Sequence, residues 1–306
     1  LVKVNFNGVK VYHNNNGDGT FTLTYQIPPD EYQYAVAWGD YNNDGLIDIL
    51  LGNWGAPSRV YCNNGVGGFN SAWIAPSSNN ALDVDWGDFD NDGYLDVLIG
   101  NRTGNSCVYF NNGDGTTFSS VNLSQTDDYT CDVACGDYNN DGFLDILVGS
   151  YYRPNRVYRN NGDRTFTSVW TTGATLVTYG VAWGDYNNDG YLDMLFGNGN
   201  NQSNCVYRNN GNGTFTSVWT SEEKEETRSA SWCDFDNDGD LDQLVSNSGY
   251  RQGSCVYLSE YSQKKQNTPP TIPADLDVEV SAVTGEVRFK WAAGSDDETT
   301  SSNGLY

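Results

Sequence analysis

The sequence has a single histidine, His13, which stands next to turn-forming residues rather than in a motif. No convincing Ser-His-Asp or Cys-His arrangement for nucleophilic catalysis can be assembled around it. We therefore expect His13 to be an exposed or half-buried structural residue. The shortage of histidine favours a protein that is not an enzyme.

Basic residues and long hydrophobic runs are also scarce. Only 16 residues are Lys or Arg against 40 acidic ones, which gives a formal net charge of −24. A nucleic-acid partner is excluded on this ground, because phosphate binding needs a basic face. No apolar stretch is long enough to span a membrane. The chain begins without an initiator Met or a signal peptide, so we expect it to be a processed or trimmed part of a precursor.

The seven cysteines form no obvious disulfide framework. An odd number leaves at least one thiol unpaired within the chain. Cys107, Cys205 and Cys255 occupy equivalent positions in different repeats, too far apart to pair with one another. Other pairings stay open. Cys135 and Cys233 replace Trp or Gly of the repeat, which favours packing roles.

Glycine and tyrosine are plentiful, and they recur in a repeated unit. Five similar segments run from Trp38 to Asp48, Trp86 to Asp96, Cys135 to Asp145, Trp183 to Asp193 and Trp232 to Asp242. Their first aspartates, at 40, 88, 137, 185 and 234, follow one another every 48 or 49 residues. Such regular spacing is typical of a fold in which each unit packs against similar neighbours.

Each unit reads as four short strands. In the first complete unit the predicted strands are Tyr34 to Trp38, Leu46 to Gly52, Arg59 to Cys62 and Phe69 to Trp73. The turns between the later strands contain Asn-Gly and Asp-Gly pairs, which supply the positive φ of hairpin turns. Four antiparallel strands in fewer than about 50 residues form the blade of a β-propeller. We therefore predict an all-β propeller.

The ends of the chain leave blade number and ring closure open. Residues 1–262 are assigned to the propeller, with six blade-like units, five of which carry an acidic loop, so we predict six or seven blades. The N-terminal strands either complete the last sheet or belong to a longer ring. Residues 263–273 form a Pro-rich linker. Residues 274–306 hold two short predicted strands, Leu276 to Val280 and Val287 to Trp291, which could mediate self-assembly.

The acidic loops carry the chemistry of the sequence. Oxygen donors stand at loop positions 1, 3, 5 and 9, position 7 offers a backbone carbonyl, and Gly at position 6 permits the turn. An all-oxygen donor set selects Ca²⁺ over zinc or copper, and we expect about five bound ions. The predicted ligands are Asp40, Asn42, Asp44, Leu46 and Asp48 in loop 1; Asp88, Asp90, Asp92, Tyr94 and Asp96 in loop 2; Asp137, Asn139, Asp141, Phe143 and Asp145 in loop 3; Asp185, Asn187, Asp189, Tyr191 and Asp193 in loop 4; and Asp234, Asp236, Asp238, Asp240 and Asp242 in loop 5.

The loops differ from the EF-hand, which lies between helices and places its last acid at position 12. The run from Val181 to Asp193, followed by Leu-Phe-Gly-Asn, instead resembles the FG-GAP or VCBS repeat, and the resemblance covers roughly residues 1–260. That family includes integrin α-subunit propellers, usually seven-bladed, and many secreted surface proteins. The resemblance implies an extracellular calcium-binding propeller. The Pro-rich segment with Trp291 resembles the opening of a fibronectin type III-like module.

Two classes of function stay open. The first is a secreted or cell-surface adhesion or scaffold module that binds protein, with calcium as a structural ion. The second is a calcium-dependent lectin that stacks sugars on inter-blade aromatics, and a minor alternative is an accessory domain of a polysaccharide-degrading enzyme. We expect the repeated tryptophans to serve inter-blade packing and Glu222 to Glu226 to form a solvated loop. Four Asn-x-Ser/Thr sequons begin at Asn101, Asn122, Asn201 and Asn212.

Overall fold

The computed structural model describes residues 2–5, 8–15, 20–27, 32–77, 80–124, 129–248, 253–259, 277–280 and 287–290. Within these ranges the fold is all-β, and the strands form repeated antiparallel sheets of the β-propeller type. The described part of the chain contains no helix that could span a membrane. The predicted linker, residues 263–273, lies outside the described ranges.

Six consecutive units can be followed along the chain. The two end units have three described strands each. Blade 1 has β1 (Val2–Asn5), β2 (Gly8–Asn14) and β3 (Phe21–Ile27), and blade 6 has β20 (Thr227–Cys233), β21 (Asp242–Asn247) and β22 (Cys255–Tyr257). Blade 2, the first complete unit, has β4 (Tyr32–Gly39), β5 (Asp48–Trp54), β6 (Arg59–Asn63) and β7 (Phe69–Ile74). Blade 3 has β8 (Ala81–Gly87), β9 (Asp96–Asn101), β10 (Cys107–Asn111) and β11 (Phe118–Asn122). Blade 4 has β12 (Thr130–Gly136), β13 (Asp145–Arg153), β14 (Arg156–Asn160) and β15 (Phe166–Thr171). Blade 5 has β16 (Leu176–Gly184), β17 (Asp193–Asn198), β18 (Cys205–Asn209) and β19 (Phe215–Thr220).

The predicted four-strand unit is confirmed, with strand ends shifted by a few residues. β1–β3 and β20–β22 form separate three-stranded sheets, and no ladder joins them among the described residues. Ring closure and the total number of blades stay predictions. The two C-terminal strands, β23 (Asp277–Val280) and β24 (Val287–Lys290), pair as an antiparallel hairpin. Their assignment to a second module stays a prediction as well.

The second strand of each complete blade is buried over its first six residues. All six residues of β9 and of β17 are buried, as are the first six of β5 and of β13. A continuous buried run replaces the usual alternation because neighbouring blades cover both faces of these strands. Five hydrophobic clusters lie between consecutive blades, from Val9 and Ile49 at one end to Val206 and Val245 at the other.

The tryptophans before the acidic loops pack between blades, as expected. Trp86 stacks on Tyr41 of the preceding blade, with ring centroids 5.9 Å apart. Trp183 and Trp232 stack in the same way on the loop aromatics of blades 4 and 5. The glycine that ends each first strand makes room for these rings, since a Cβ on Gly184 would lie 2.5 Å from Cδ1 of Trp232. Trp38 differs, being 38% exposed.

The first strands show which end of the blades carries the acidic loops. β4, β8, β12, β16 and β20 contact one another in succession, so they form the inner layer of the array. Each of them ends directly before an acidic loop, and the second strand begins with that loop's last aspartate. All five acidic loops therefore lie at one end of the blades. The starts of the first strands and the ends of the second strands lie at the opposite end.

Candidate metal centres

The five acidic loops share one backbone conformation. The Asn at position 4 is left-handed in every loop, with φ between 57° and 59°, and the Gly at position 6 has φ between 83° and 91°. Asparagine and glycine tolerate this region better than other residues. These positive φ values at positions 4 and 6 turn the polar side chains of the loop inward. The prediction that glycine at position 6 permits the turn agrees with its positive φ in all five loops.

Hydrogen bonds bring the predicted ligands at positions 1, 3 and 5 together. In loop 1, Oδ1 of Asp40 accepts from the amide of Asp44 at 3.1 Å, and Oδ2 accepts from the amide of Gly45 at 2.9 Å. Oδ1 of Asn42 accepts from the same Asp44 amide at 3.1 Å. Oδ1 of Asp44 accepts from the amide of Leu46 at 2.8 Å. The same set of bonds recurs in the other loops.

Three carboxylates converge in loops 2 and 5, the two loops that have Asp and not Asn at position 3. In loop 2, one oxygen from each of Asp88, Asp90 and Asp96 lies within 4.8 Å of the others. In loop 5 the converging groups are Asp234, Asp236 and Asp238. Like charges at such separations repel one another unless a cation lies between them. The donor sets therefore suit a hard cation that takes oxygen ligands.

The aspartate at position 9 has a second role that the sequence reading missed. Asp48, Asp96, Asp145 and Asp193 are fully buried, and Asp242 is 1% exposed. In each loop Oδ1 accepts from the backbone amide at or just after the end of the third strand; for Asp193 the donor is Asn209, at 2.7 Å. This aspartate thus joins the loop to the third strand of its own blade.

The position 9 carboxylates of loops 2, 3 and 4 have raised pKa values. Burial, with a smaller contribution from neighbouring loop carboxylates, raises the pKa of Asp96, Asp145 and Asp193 to about 7. Oδ2 of Asp145 and Oδ2 of Asp193 are buried and have no hydrogen-bond partner within the described residues. A buried unpartnered oxygen is unfavourable unless a bound ion or water satisfies it. The residues therefore fit a bound divalent cation.

Position 7 is predicted to offer a backbone carbonyl to the ion, and its side chain has a separate packing role. Its side chain packs under the hairpin glycine of the same blade, as Tyr94 does against Gly113 and Tyr191 against Gly211. In loop 5 position 7 is Asp240, which is 5% exposed and accepts from Nδ2 of Asn188 at 3.2 Å. Whether the position 7 carbonyls bind an ion stays a prediction.

The asparagine at position 4 connects each loop to the next. Nδ2 of Asn43 donates to the carbonyl of Gly93 at 2.7 Å, and Asn91, Asn140 and Asn188 make the equivalent bond to the following loop. Sequence reasoning missed this role. The signal was present, because Asn occupies position 4 in all five loops although position 4 is not a predicted ligand.

Arg164 distinguishes loop 2 from the others. It stands in a hairpin of blade 4 with φ of 63°, where the equivalent hairpins have Gly115 and Gly213. Its guanidinium lies 2.5 Å from Oδ2 of Asp90 and 3.9 Å from Oδ2 of Asp92. One residue from a neighbouring blade thus places positive charge on two predicted ligands of loop 2.

Two carboxyls outside the loops link inner strands of adjacent blades. Oδ2 of Asp83 accepts from the amide of Val133 at 3.0 Å, and Oδ2 of Asp132 accepts from the amide of Val181 at 2.7 Å. The two carboxyls also interact with each other. Burial raises the pKa of Asp83 to about 6, and burial together with the charge of Asp83 raises the pKa of Asp132 well above its usual value.

Other predicted features have mixed outcomes. His13 is exposed. The expected solvated loop from Glu222 to Glu226 is wrong at Glu225, which is 6% exposed and accepts from Nδ2 of Asn247 at 2.6 Å. Asn101, the first residue of a sequon, is 1% exposed and donates to the carbonyl of Asn105. All seven cysteines are free thiols.

The repeated blades and their acidic loops define a β-propeller built from loop-bearing repeats. The chain belongs to the FG-GAP-like repeat family, whose model matches residues 1–51, 40–99, 88–148, 137–196 and 185–245. Each of the last four matches begins at the first aspartate of an acidic loop and extends just past the next loop.

Similar proteins cover only part of the chain or share only its fold. Cartilage acidic protein 1 of Mus musculus and of Homo sapiens are each 39% identical over 61 residues, and the Xenopus tropicalis protein is 41% identical over the same length. That match covers 19% of this chain and 9% of those proteins. A structure described as an Agrocybe aegerita lectin that recognises non-reducing terminal N-acetylglucosamine has a TM-score of 0.50 at 20% identity, covering 78% of this chain and 69% of the lectin.

Proposed function

We propose that this chain is an extracellular, non-catalytic binding module whose propeller is stabilised by calcium. The observation that carries the proposal is the set of five acidic loops with the same hydrogen bonds at the same end of each blade. Positions 1, 3, 5 and 9 would hold the ion with side-chain oxygens. Bound Ca²⁺ supplies positive charge to carboxylates that otherwise repel one another.

Calcium in this arrangement acts as a structural ion. The position 9 aspartate belongs both to the loop and to the amide that follows the third strand, so an ion at the loop would fix three strands of one blade. The position 4 asparagine donates a hydrogen bond to the following loop, so a fixed loop would also help to fix the next one. A secreted location follows from the same proposal, because extracellular calcium is abundant enough to fill moderate-affinity sites.

The test compares thermal unfolding of the chain in millimolar Ca²⁺, in millimolar Mg²⁺ and in excess chelator. Ca²⁺ is expected to raise the melting temperature strongly through linkage to the folded state, and Mg²⁺ much less, because it gives up its waters reluctantly. Equal melting temperatures in Ca²⁺ and in chelator would overturn the proposal.

Glycan binding is a second candidate, and one feature favours it. Trp38 is 38% exposed and borders a cavity of about 530 Å³ with Val11, Thr24, Ile47 and Phe69, between blades 1 and 2. Exposed aromatic rings in a groove are typical of ligand sites. A glycan array probed with and without chelator tests this candidate, with Trp38→Ala as the variant. Loss of every glycan signal in Trp38→Ala would support the groove, and absence of any signal in the wild type would refute it.

A further inference from the structure

The end of the array opposite the acidic loops carries a row of aromatic and arginine side chains. We call it the loop-distal rim, and it consists of Tyr34, Trp54, Arg102, Tyr129, Tyr151, Tyr152, Arg153, Tyr179 and Arg228. The guanidinium of Arg102 lies 4.2 Å from the ring centre of Tyr151, and that ring lies 6.0 Å from the ring of Tyr179. Arg228 lies over Tyr179 at 4.3 Å. One continuous row therefore crosses blades 3 to 6.

The repeat does not account for this surface. Arg102, Tyr151 and Trp54 occupy the same position in consecutive blades, directly after the buried run of the second strand, yet they are chemically different. In blade 4 the second strand continues past this point, and Tyr151 and Arg153 pair with the first strand of blade 5. The row, half-buried at Arg102, Tyr151 and Tyr179 and exposed at Arg228, is therefore a local addition to the blade and not a product of the repeated packing.

Two tyrosines of the rim, and two asparagines outside it, have an unusual backbone conformation. Tyr129, Tyr152, Asn200 and Asn201 all have left-handed φ, between 51° and 58°. For tyrosine this conformation is unfavourable, and it persists only where surrounding contacts enforce it, commonly at functional sites. Here the ring of Tyr152 packs edge-on against Tyr151 at 4.6 Å, and its hydroxyl accepts from Nδ2 of Asn200 at 2.7 Å.

The guanidinium faces of the rim arginines lie against aromatic rings. Some of their N–H donors have partners within the protein, since Nη1 of Arg153 donates to the carbonyl of Tyr152 at 3.2 Å and Nε of Arg228 donates to Oγ of Ser248 at 3.0 Å. Arg153 lies 4.7 Å from the ring centre of Tyr129, and Arg102 is stacked on Tyr151. Among the described residues, no carboxylate lies within ion-pair distance of either guanidinium. Arg228 differs, since Oε2 of Glu226 lies 3.9 Å away. A stacked guanidinium retains a planar set of N–H donors that matches carboxylate or sulfate oxygens.

Two arginines of the rim act on one buried thiol in a strongly acidic protein. Burial raises the pKa of Cys131 to about 12; the charges of Arg102 and Arg228 act to lower it, and the charge of Asp132 acts to raise it. The Asp132 carboxyl accepts from the amide of Val181 at 2.7 Å. The net charge of −24 repels polyanions elsewhere on the surface.

We propose that the loop-distal rim binds an oligosaccharide that carries carboxylate or sulfate groups. The guanidinium edge of Arg102 and the remaining N–H donors of Arg153 pair with the acidic groups, and the rings of Tyr34 and Tyr152, 44% and 45% exposed, contact the sugar faces. A row that crosses several blades suits an extended chain more than a single small anion. Rings beside the guanidinium groups favour a sugar over an acidic peptide. The proposal adds a ligand class to the binding module proposed above and rests on it only in requiring the folded propeller.

The test measures binding of the chain in Ca²⁺ to four fluorescent probes by polarisation. The probes are a heparin-derived octasaccharide, an octagalacturonate, a neutral maltooctaose and an octaglutamate peptide. At least one acidic octasaccharide is expected to bind about tenfold or more tighter than maltooctaose and octaglutamate, with an affinity that falls as salt is added. Absence of binding by both acidic octasaccharides would overturn the proposal. Equal or tighter binding of octaglutamate would overturn it in favour of an acidic protein partner.

Matched arginine variants locate the site. Arg102→Ala and Arg153→Ala are each expected to weaken the acidic probe about tenfold, and Arg102→Lys to recover only part of the loss, because lysine lacks the planar donor set. Arg208→Ala removes the same charge from an exposed hairpin and should leave binding unchanged. Equal effects of Arg102→Ala and Arg208→Ala would refute the rim.

Melting temperatures separate this proposal from the calcium proposal. The arginine variants should melt in Ca²⁺ like the wild type, so that any lost binding is not lost folding. If chelator leaves the melting temperature unchanged while the arginine effects persist, the calcium proposal fails and the rim stands. If calcium stabilises the chain and no acidic octasaccharide binds, the rim fails alone.

Discussion

Asp193 offers a substitution whose effect should depend on calcium. Its Oδ1 accepts from the amide of Asn209 at 2.7 Å, and its Oδ2 is buried without a hydrogen-bond partner in the described residues. Asp193→Asn keeps the first oxygen and replaces the second by an amide nitrogen. The structural hydrogen bond therefore survives, while one predicted ion ligand and its charge are lost.

The magnitude follows from linkage. One site filled at a calcium concentration 100 times its Kd stabilises the fold by about 2.7 kcal/mol. Losing that site should lower the melting temperature in Ca²⁺ by about 5–10 °C, at roughly 2–4 °C per kcal/mol. In chelator the substitution removes a buried charge that has no counter-ion, so no destabilisation is expected. The assay is thermal unfolding of wild type and variant in both conditions.

The control is Asp163→Asn, which removes a carboxylate from a hairpin outside the acidic loops, where Asp163 accepts from Thr165. Its effect should be the same in Ca²⁺ and in chelator. The reasoning is refuted if Asp193→Asn changes the melting temperature by equal amounts in the two conditions, because the carboxylate would then act only within the protein.

Three further substitutions test the packing, the inner carboxyls and loop 2. Gly184→Ala places a Cβ 2.5 Å from an indole carbon of the next blade, so it should cost about 1–3 kcal/mol by chemical denaturation. Asp132→Asn keeps an oxygen for its amide partner and removes a carboxyl whose pKa is raised well above its usual value by burial and by the charge of Asp83. Wild-type stability therefore falls as pH rises above the ordinary aspartate pKa of about 4, and the advantage of the variant over wild type should grow as the pH rises. Arg164→Gly removes the cation 2.5 Å from Asp90 and should strengthen calcium binding at loop 2 several-fold, measured by calorimetry.

Each of these outcomes has a clear contrary result. Gly173 has no atom within 4 Å of an added Cβ, so Gly173→Ala is the matched control, and equal destabilisation by the two glycine variants would refute the packing account. A pH-independent difference between Asp132→Asn and wild type would show that the pKa of Asp132 is not raised in the fold. Weaker calcium binding in Arg164→Gly would show that the arginine supports loop 2 rather than competing with the ion.

The repeat made the blades predictable from the sequence. Because the acidic segments recur every 48 or 49 residues, strand order and loop position followed from one unit, and β4 to β7 lie close to the predicted strands. The packing of Trp86 and Trp183 between blades was predictable for the same reason. A repeated sequence pattern predicts the contacts that every blade makes.

Contacts made by residues that break the repeat were not predictable. Arg164 replaces a hairpin glycine and contacts the acidic loop of the preceding blade, which no local pattern indicates. The row from Arg102 to Tyr151 depends on which residues follow the second strands of adjacent blades, and these positions differ from blade to blade. Glu225 was expected to be solvated because its neighbours are charged, yet it is buried and accepts a hydrogen bond from Nδ2 of Asn247.

Counting the bound ions tests the central claim most directly. The chain, freed of metal by chelator and returned to Ca²⁺, should show about five bound ions by native mass spectrometry, and Asp193→Asn should show one fewer. A chain that binds no calcium, or that shows the same number of ions after Asp193→Asn, would contradict the assignment of the acidic loops as calcium sites.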